Sequence, residues 1–93
     1  MAGIYADQGK IDEALSLYKQ SLEIFESTGE VKGKAFTLAH MAKLIAGQGD
    51  FETAMTYLNE SLAIFEHIKS PNAEAVRQFI KQVQNDSHNI NAG

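Results

Sequence analysis

The sequence predicts an all-α fold of antiparallel helix-turn-helix repeats, an α-solenoid of about five helices closed by a C-terminal capping helix. Three observations carry this. The chain repeats itself at a spacing of 40 residues: Ala6-Asp7-Gln8-Gly9 falls on Ala46-Gly47-Gln48-Gly49, and Ser21-Leu22-Glu23-Ile24-Phe25-Glu26 on Ser61-Leu62-Ala63-Ile64-Phe65-Glu66. A fixed period of this size marks stacked supersecondary units. Apolar residues recur at three- and four-residue steps, which gathers them on one helix face. A period of two is nowhere sustained, so no strand is expected.

The elements follow in order. The first is a short helix at about residues 1–8, because Met1-Ala2 repeats as Met41-Ala42. The second covers about 11–27, with Ile11, Ala14, Leu15, Tyr18, Leu22 and Phe25 on one face. The third covers about 30–47 through Phe36, Ala39, His40 or its neighbour Met41, Lys43 and Leu44, a partly apolar face, and the fourth about 51–67 through Phe51, Ala54, Met55, Leu58, Leu62 and Phe65. Gly9, Gly29 and Gly49 are read as exits, since glycine tolerates the left-handed backbone that ends a helix. Asp50 is the expected N-cap after Gly49, whereas Lys10 is a poorer one, partly offset by Asp12 and Glu13 at the positive end of the helix dipole. Ser70-Pro71 opens the last helix, at about 71–86, with serine as cap and proline at the first helical position. The polar tail 87–93 is expected to fray. One domain, 1–93, thus divides into a partial repeat 1–29, a full repeat 30–69, a capping helix 70–86 and the tail.

Composition excludes several functions. At 93 residues the core is modest, burying roughly 60–68% of the unfolded surface. The net charge of −4 and the scattered basic residues argue against nucleic acid, which needs clustered Lys and Arg. Without cysteine there is no disulfide, thiolate site or thiol catalysis, which fits a cytoplasmic location. No apolar run spans a membrane, and the first residues lack the basic and apolar regions of a signal peptide.

Candidate chemistry reduces to structure. His40, His67 and His88 have no second ligand at metal spacing. Ser16-Leu17-Tyr18-Lys19 matches Ser-x-x-Lys, but Lys19 sits mid-helix on a solvated face. Gly47-Gln48-Gly49-Asp50 joins two helices, whereas phosphate-cradling loops follow a strand. The expectation is a non-enzymatic chain with no catalytic residue, no metal and no cofactor.

The spacing of large and small residues resembles the tetratricopeptide repeat (TPR) family. The second unit carries it best: Leu38, Met41, Ala42 and Ile45 in its first helix, Gly49 at the turn, Phe51 after it, then Ala54, Leu58, Ser61 and Leu62. The first unit matches through Met1, Ala2, Tyr5, Gly9, Ile11, Ala14, Tyr18, Ser21 and Leu22, and a third begins with Ala75 and Gln78. Small residues let helices approach to ~8–10 Å, and large ones fill the space between pairs. The period of 40 exceeds the usual ~34, so this resembles a long-repeat variant with longer helices. Glu26 and Glu66 stand where the family has a helix-ending proline, which implies that those helices run on.

The resemblance implies a protein-interaction scaffold whose first helices line a concave groove for a peptide or partner helix. Carried onto this chain, the groove residues are Gly3, Ala6 and Asp7, then Phe36, Ala39, His40, Lys43 and Ala46, then Val76, Phe79 and Val83. Chaperone-binding members hold a C-terminal carboxylate with Lys, Asn and Arg. Gly3 and Ala39 replace such residues, so no carboxylate clamp is expected and an apolar or amphipathic segment fits better. The alternative is self-assembly into a homo-oligomer, or a part in a larger TPR regulator. The chain begins inside a first helix, which would leave the apolar flank of helix 11–27 uncovered.

Overall fold

The computed structural model describes the backbone of residues 8–92 and the side chains of residues 9–86. Among the described residues there are four helices and no strand: α1 (Gln8–Thr28), α2 (Val31–Gly47), α3 (Phe51–His67) and α4 (Asn72–Ala92). The helix expected at 1–8 lies outside the described residues. Each link is two to four residues long. Links this short turn successive helices antiparallel, and each helix packs chiefly on the next in sequence, most extensively α2 on α3.

The helix ends share one design, repeated every 20 residues. Gly29 (φ 78°), Gly49 (φ 93°) and Lys69 (φ 56°) all take the left-handed conformation. Past each, an N–H reaches back to the last turn: Glu30 to the Phe25 carbonyl at 3.0 Å, Asp50 to Ile45 at 3.2 Å, Ser70 to Phe65 at 2.9 Å. These bonds satisfy carbonyls that a helix end would otherwise leave unpaired. Gly9 departs from expectation. It lies inside α1, whose described residues start at Gln8 and take in Lys10. Glycine permits an exit without imposing one. Gly49 is followed by Asp50, whose carboxylate accepts the Thr53 N–H at 3.2 Å, whereas Lys10 has no oxygen to cap with. Ser70 acts as expected: its Oγ accepts the Asn72 N–H at 3.2 Å, and Pro71 sits in the turn just before α4. Helix α1 continues past Glu26 and α3 past Glu66, while α4 runs beyond residue 86 to Ala92, since no Gly or Pro interrupts 85–91.

The core lies on α2, α3 and α4. Ala35, Leu38, Met41, Ala42 and Ile45 are buried on α2, Ala54, Leu58 and Phe65 on α3, and Ala73, Val76 and Val83 on α4. Each large side chain among them contributes about 1.5–3 kcal/mol by leaving water. Small residues set the spacing: the buried Ser61 hydroxyl donates to the Ala35 carbonyl at 2.8 Å, a contact that requires the two backbones to come close. Helix α1 joins through the half-buried Leu15, Tyr18 and Leu22. Lys34 ties three helices together, reaching Glu26 of α1 at 3.2 Å and Glu60 of α3 at 3.6 Å.

Candidate partner-binding groove

Helix α2 has two working faces. Leu38, Met41, Ala42 and Ile45 are buried. Phe36, Ala39, His40 and Lys43, spaced i, i+3, i+4 and i+7, form a second stripe beside them. That stripe lines a cavity of about 590 Å³ whose opposite wall is α4, through Val76 and Phe79, and whose floor is Leu58 and Phe65 of α3. This volume falls within the usual range of ligand clefts.

The aromatic rings define the walls. Phe36 stands edge-on to Phe65, centroids 5.0 Å apart and planes at 74°, the arrangement that aromatic quadrupoles favour. Phe65 is buried and holds Phe36 in place, while Phe36 remains more than a third exposed. Across the cavity the Lys43 ammonium lies 5.9 Å from the centre of the Phe79 ring, a cation–π contact. His40 is stacked on Tyr18 of α1, 5.9 Å between centroids and 11° between planes, so α1 orients a groove residue from behind.

The residues expected here separate into three groups. Phe36, Ala39, His40, Lys43, Val76 and Phe79 all line this cavity. Ala46 packs against the core instead, and Val83 is 1% exposed within it; neither lines the cavity. Gly3, Ala6 and Asp7 lie outside the described residues. Beyond the expected residues stands a polar wall: Asn72, Gln78 and Gln82 of α4 line the cavity together with Ala75. Gln82 lies three residues beyond Phe79, and Ala75 four before it. Helical spacing from one groove residue was therefore the signal that could have found them.

Electrostatics set the groove apart from the rest of the chain. None of its lining residues is Asp or Glu, although the chain carries 12 acidic residues against 8 basic ones. Helix α2 contains Lys32, Lys34 and Lys43 and no acidic residue. On the other side of α4, Arg77 engages Glu66 at 2.8 Å and Glu74 at 3.0 Å, and the Glu66 hydrogen bond leads in holding its pKa above the ordinary value.

The remaining chemical candidates have no site built around them. Ser16 and Lys19 are both exposed on α1. The turn at Gln48-Gly49-Asp50 spends its N–H groups on the Ile45 and Ala46 carbonyls, so none is left to cradle a phosphate. No cluster of three potential metal ligands occurs among the described residues. No helix among them is long and apolar enough to cross a membrane.

Comparison with known proteins places the chain. The family model described as tetratricopeptide repeat matches residues 1–67, which takes in α1, α2 and α3. No curated protein matches, and no solved structure matches.

Proposed function

The chain belongs to the tetratricopeptide repeat family, and from that premise we propose that it is a non-catalytic interaction module that receives a peptide or partner helix in the groove between α2 and α4. Members of this family generally bind proteins or peptides. The observation that carries the reading is the open pair Phe36 and Phe79 on facing walls of one cavity, with buried Phe65 beneath Phe36. Apolar anchors in a groove of this kind give affinity, and the polar rim gives register. Ala39 at the centre of the α2 wall leaves no second cation beside Lys43, which disfavours a carboxylate clamp. A photo-crosslinking residue placed at Ala39 tests the site against one placed at Ala63, an exposed position on α3. Cross-linking of a partner from Ala39 and not from Ala63 is expected in the native cell. The reverse pattern would reject the groove.

A second reading, self-association, is favoured by a different surface. Leu17 and Ile24, one above the other on α1, are 57% and 60% exposed. Their counterparts one period on, Tyr57 and Ile64, pack against the core. Light scattering behind size exclusion decides: a mass of 10.2 kDa at every concentration discards this reading, and a concentration-dependent dimer keeps it.

A further inference from the structure

The charge of the groove says what its occupant carries. Helix α2 has three lysines and no carboxylate within a chain of net charge −4. Lys34 is consumed by Glu26 and Glu60, and Glu74 and Glu66 near α4 are consumed by Arg77. Lys43 makes no ion pair among the described residues and stands against the Phe79 ring, inside a cavity whose other polar linings are His40 and neutral amides. Lys43 is itself exposed, so a carboxylate brought to it gains most once a bound segment covers the cavity and removes the water around the pair.

We propose that the groove takes an acidic amphipathic segment of a partner protein, with an apolar anchor seated against Phe36 and a carboxylate on Lys43. This rests on the groove reading above and adds the chemistry of the partner. Phe36 and Lys43 are two turns apart on α2, about 10 Å at the helical rise. A helical partner running along α2 therefore presents its anchor and its Asp or Glu at i and i+7. The same face excludes basic segments, which would meet Lys43 without a compensating carboxylate.

The test pans a displayed random-peptide library on the whole chain. The enriched sequences are then synthesised and titrated against wild type, Lys43→Glu and Phe36→Ala, with circular dichroism to check that each variant is folded. Expected are peptides of net negative charge with one apolar anchor. They should bind Lys43→Glu roughly tenfold more weakly and regain affinity for that variant when their acidic residue is changed to Lys. If neutral or basic peptides are enriched and lose binding to Phe36→Ala, the acidic partner is overturned while the groove stands. If no peptide is enriched, or binding ignores both substitutions, the groove reading falls with it.

Discussion

Helices α1 and α3 are two copies of one element and meet opposite fates. Ala14, Tyr18, Ser21 and Phe25 of α1 correspond, 40 residues on, to Ala54, Leu58, Ser61 and Phe65 of α3. All four in α3 are buried, and all four in α1 are only half-buried. The residues are nearly the same; the neighbours are not. Helix α3 lies between α2 and α4, whereas α1 packs mainly on α2 among the described helices. Burial in a stacked repeat is thus a property of place in the stack as much as of sequence. Where the copies diverge, the local packing follows. Phe65 faces a unit that has Ala73 where the first has Gly33. A Cβ at Gly33 would come within 2.8 Å of the Phe25 ring, so Phe25 occupies the space that a side chain would need.

The contrast can be broken by matched substitutions. The largest effect is expected at the two phenylalanines. Phe65→Ala should cost about 3–5 kcal/mol of unfolding free energy and Phe25→Ala only about 1–2 kcal/mol, read by urea denaturation. Equal losses would mean that α1 is as deeply integrated as α3. If Phe65→Ala fails to fold, Phe65→Leu keeps the comparison, at about 1–1.5 kcal/mol.

The serines come next. Ser61→Ala removes the buried bond to the Ala35 carbonyl and should cost about 1–2 kcal/mol, whereas Ser21→Ala should stay within about 0.5 kcal/mol of wild type. The helix ends sharpen the comparison further. Lys69 holds the left-handed position that Gly29 fills in the first copy. Lys69→Gly should raise stability by about 0.5–1 kcal/mol, and Gly29→Lys should lower it by a similar amount.

The smallest effect concerns Lys34, whose pKa is raised above its ordinary 10.5 chiefly by the hydrogen bond to Glu26, with Glu60 adding to it. A raised lysine pKa stabilises the fold fully below the ordinary value, and the contribution disappears as pH rises through the folded one. Lys34→Met should therefore be less stable than wild type by under about 1 kcal/mol at neutral pH, because the pair is partly solvated. On the alkaline side the gap should persist until above about pH 10.5. A gap that stays unchanged well above that pH would show that the lysine charge is not its source.

Much of the fold was legible because local chemistry and packing agree. The limits of α2 and α3 fall within a residue of the expected ones, where Gly29, Gly49, Asp50 and Ser70 supply stops and caps. Two features were not legible. Gly9 looks like Gly49 in sequence, yet it lies inside α1, where no capping side chain follows it. Lys69 gives no sign of its left-handed backbone except through the period that aligns it with Gly29. The groove divides in the same way. Its α2 wall follows from helical spacing, since both faces of α2 are amphipathic stripes. Its α4 wall follows from the repeat only in part: Val76 and Phe79, one period after Phe36 and Ala39, line the cavity, whereas Val83, one period after the exposed Lys43, is buried. Helix α4 is therefore an imperfect copy; helical spacing from Phe79 reaches Asn72, Ala75 and Gln82 but not the adjacent Gln78.

The close approach of α2 and α3 at Ser61 and Ala35 also gives the chain a direction in time. The pair is contiguous in sequence, joined by a three-residue turn, and holds most of the fully buried side chains. All three links are short and close at similar cost, so the deeper burial of this pair, not its loop, makes it the expected nucleus of folding. Helices α1 and α4 then dock onto a finished hairpin from either side. In the folded molecule the half-buried α1 is expected to lose hydrogen-exchange protection before the α2–α3 pair, so that the wall formed by Phe36, Ala39 and Lys43 rests on the more persistent helices.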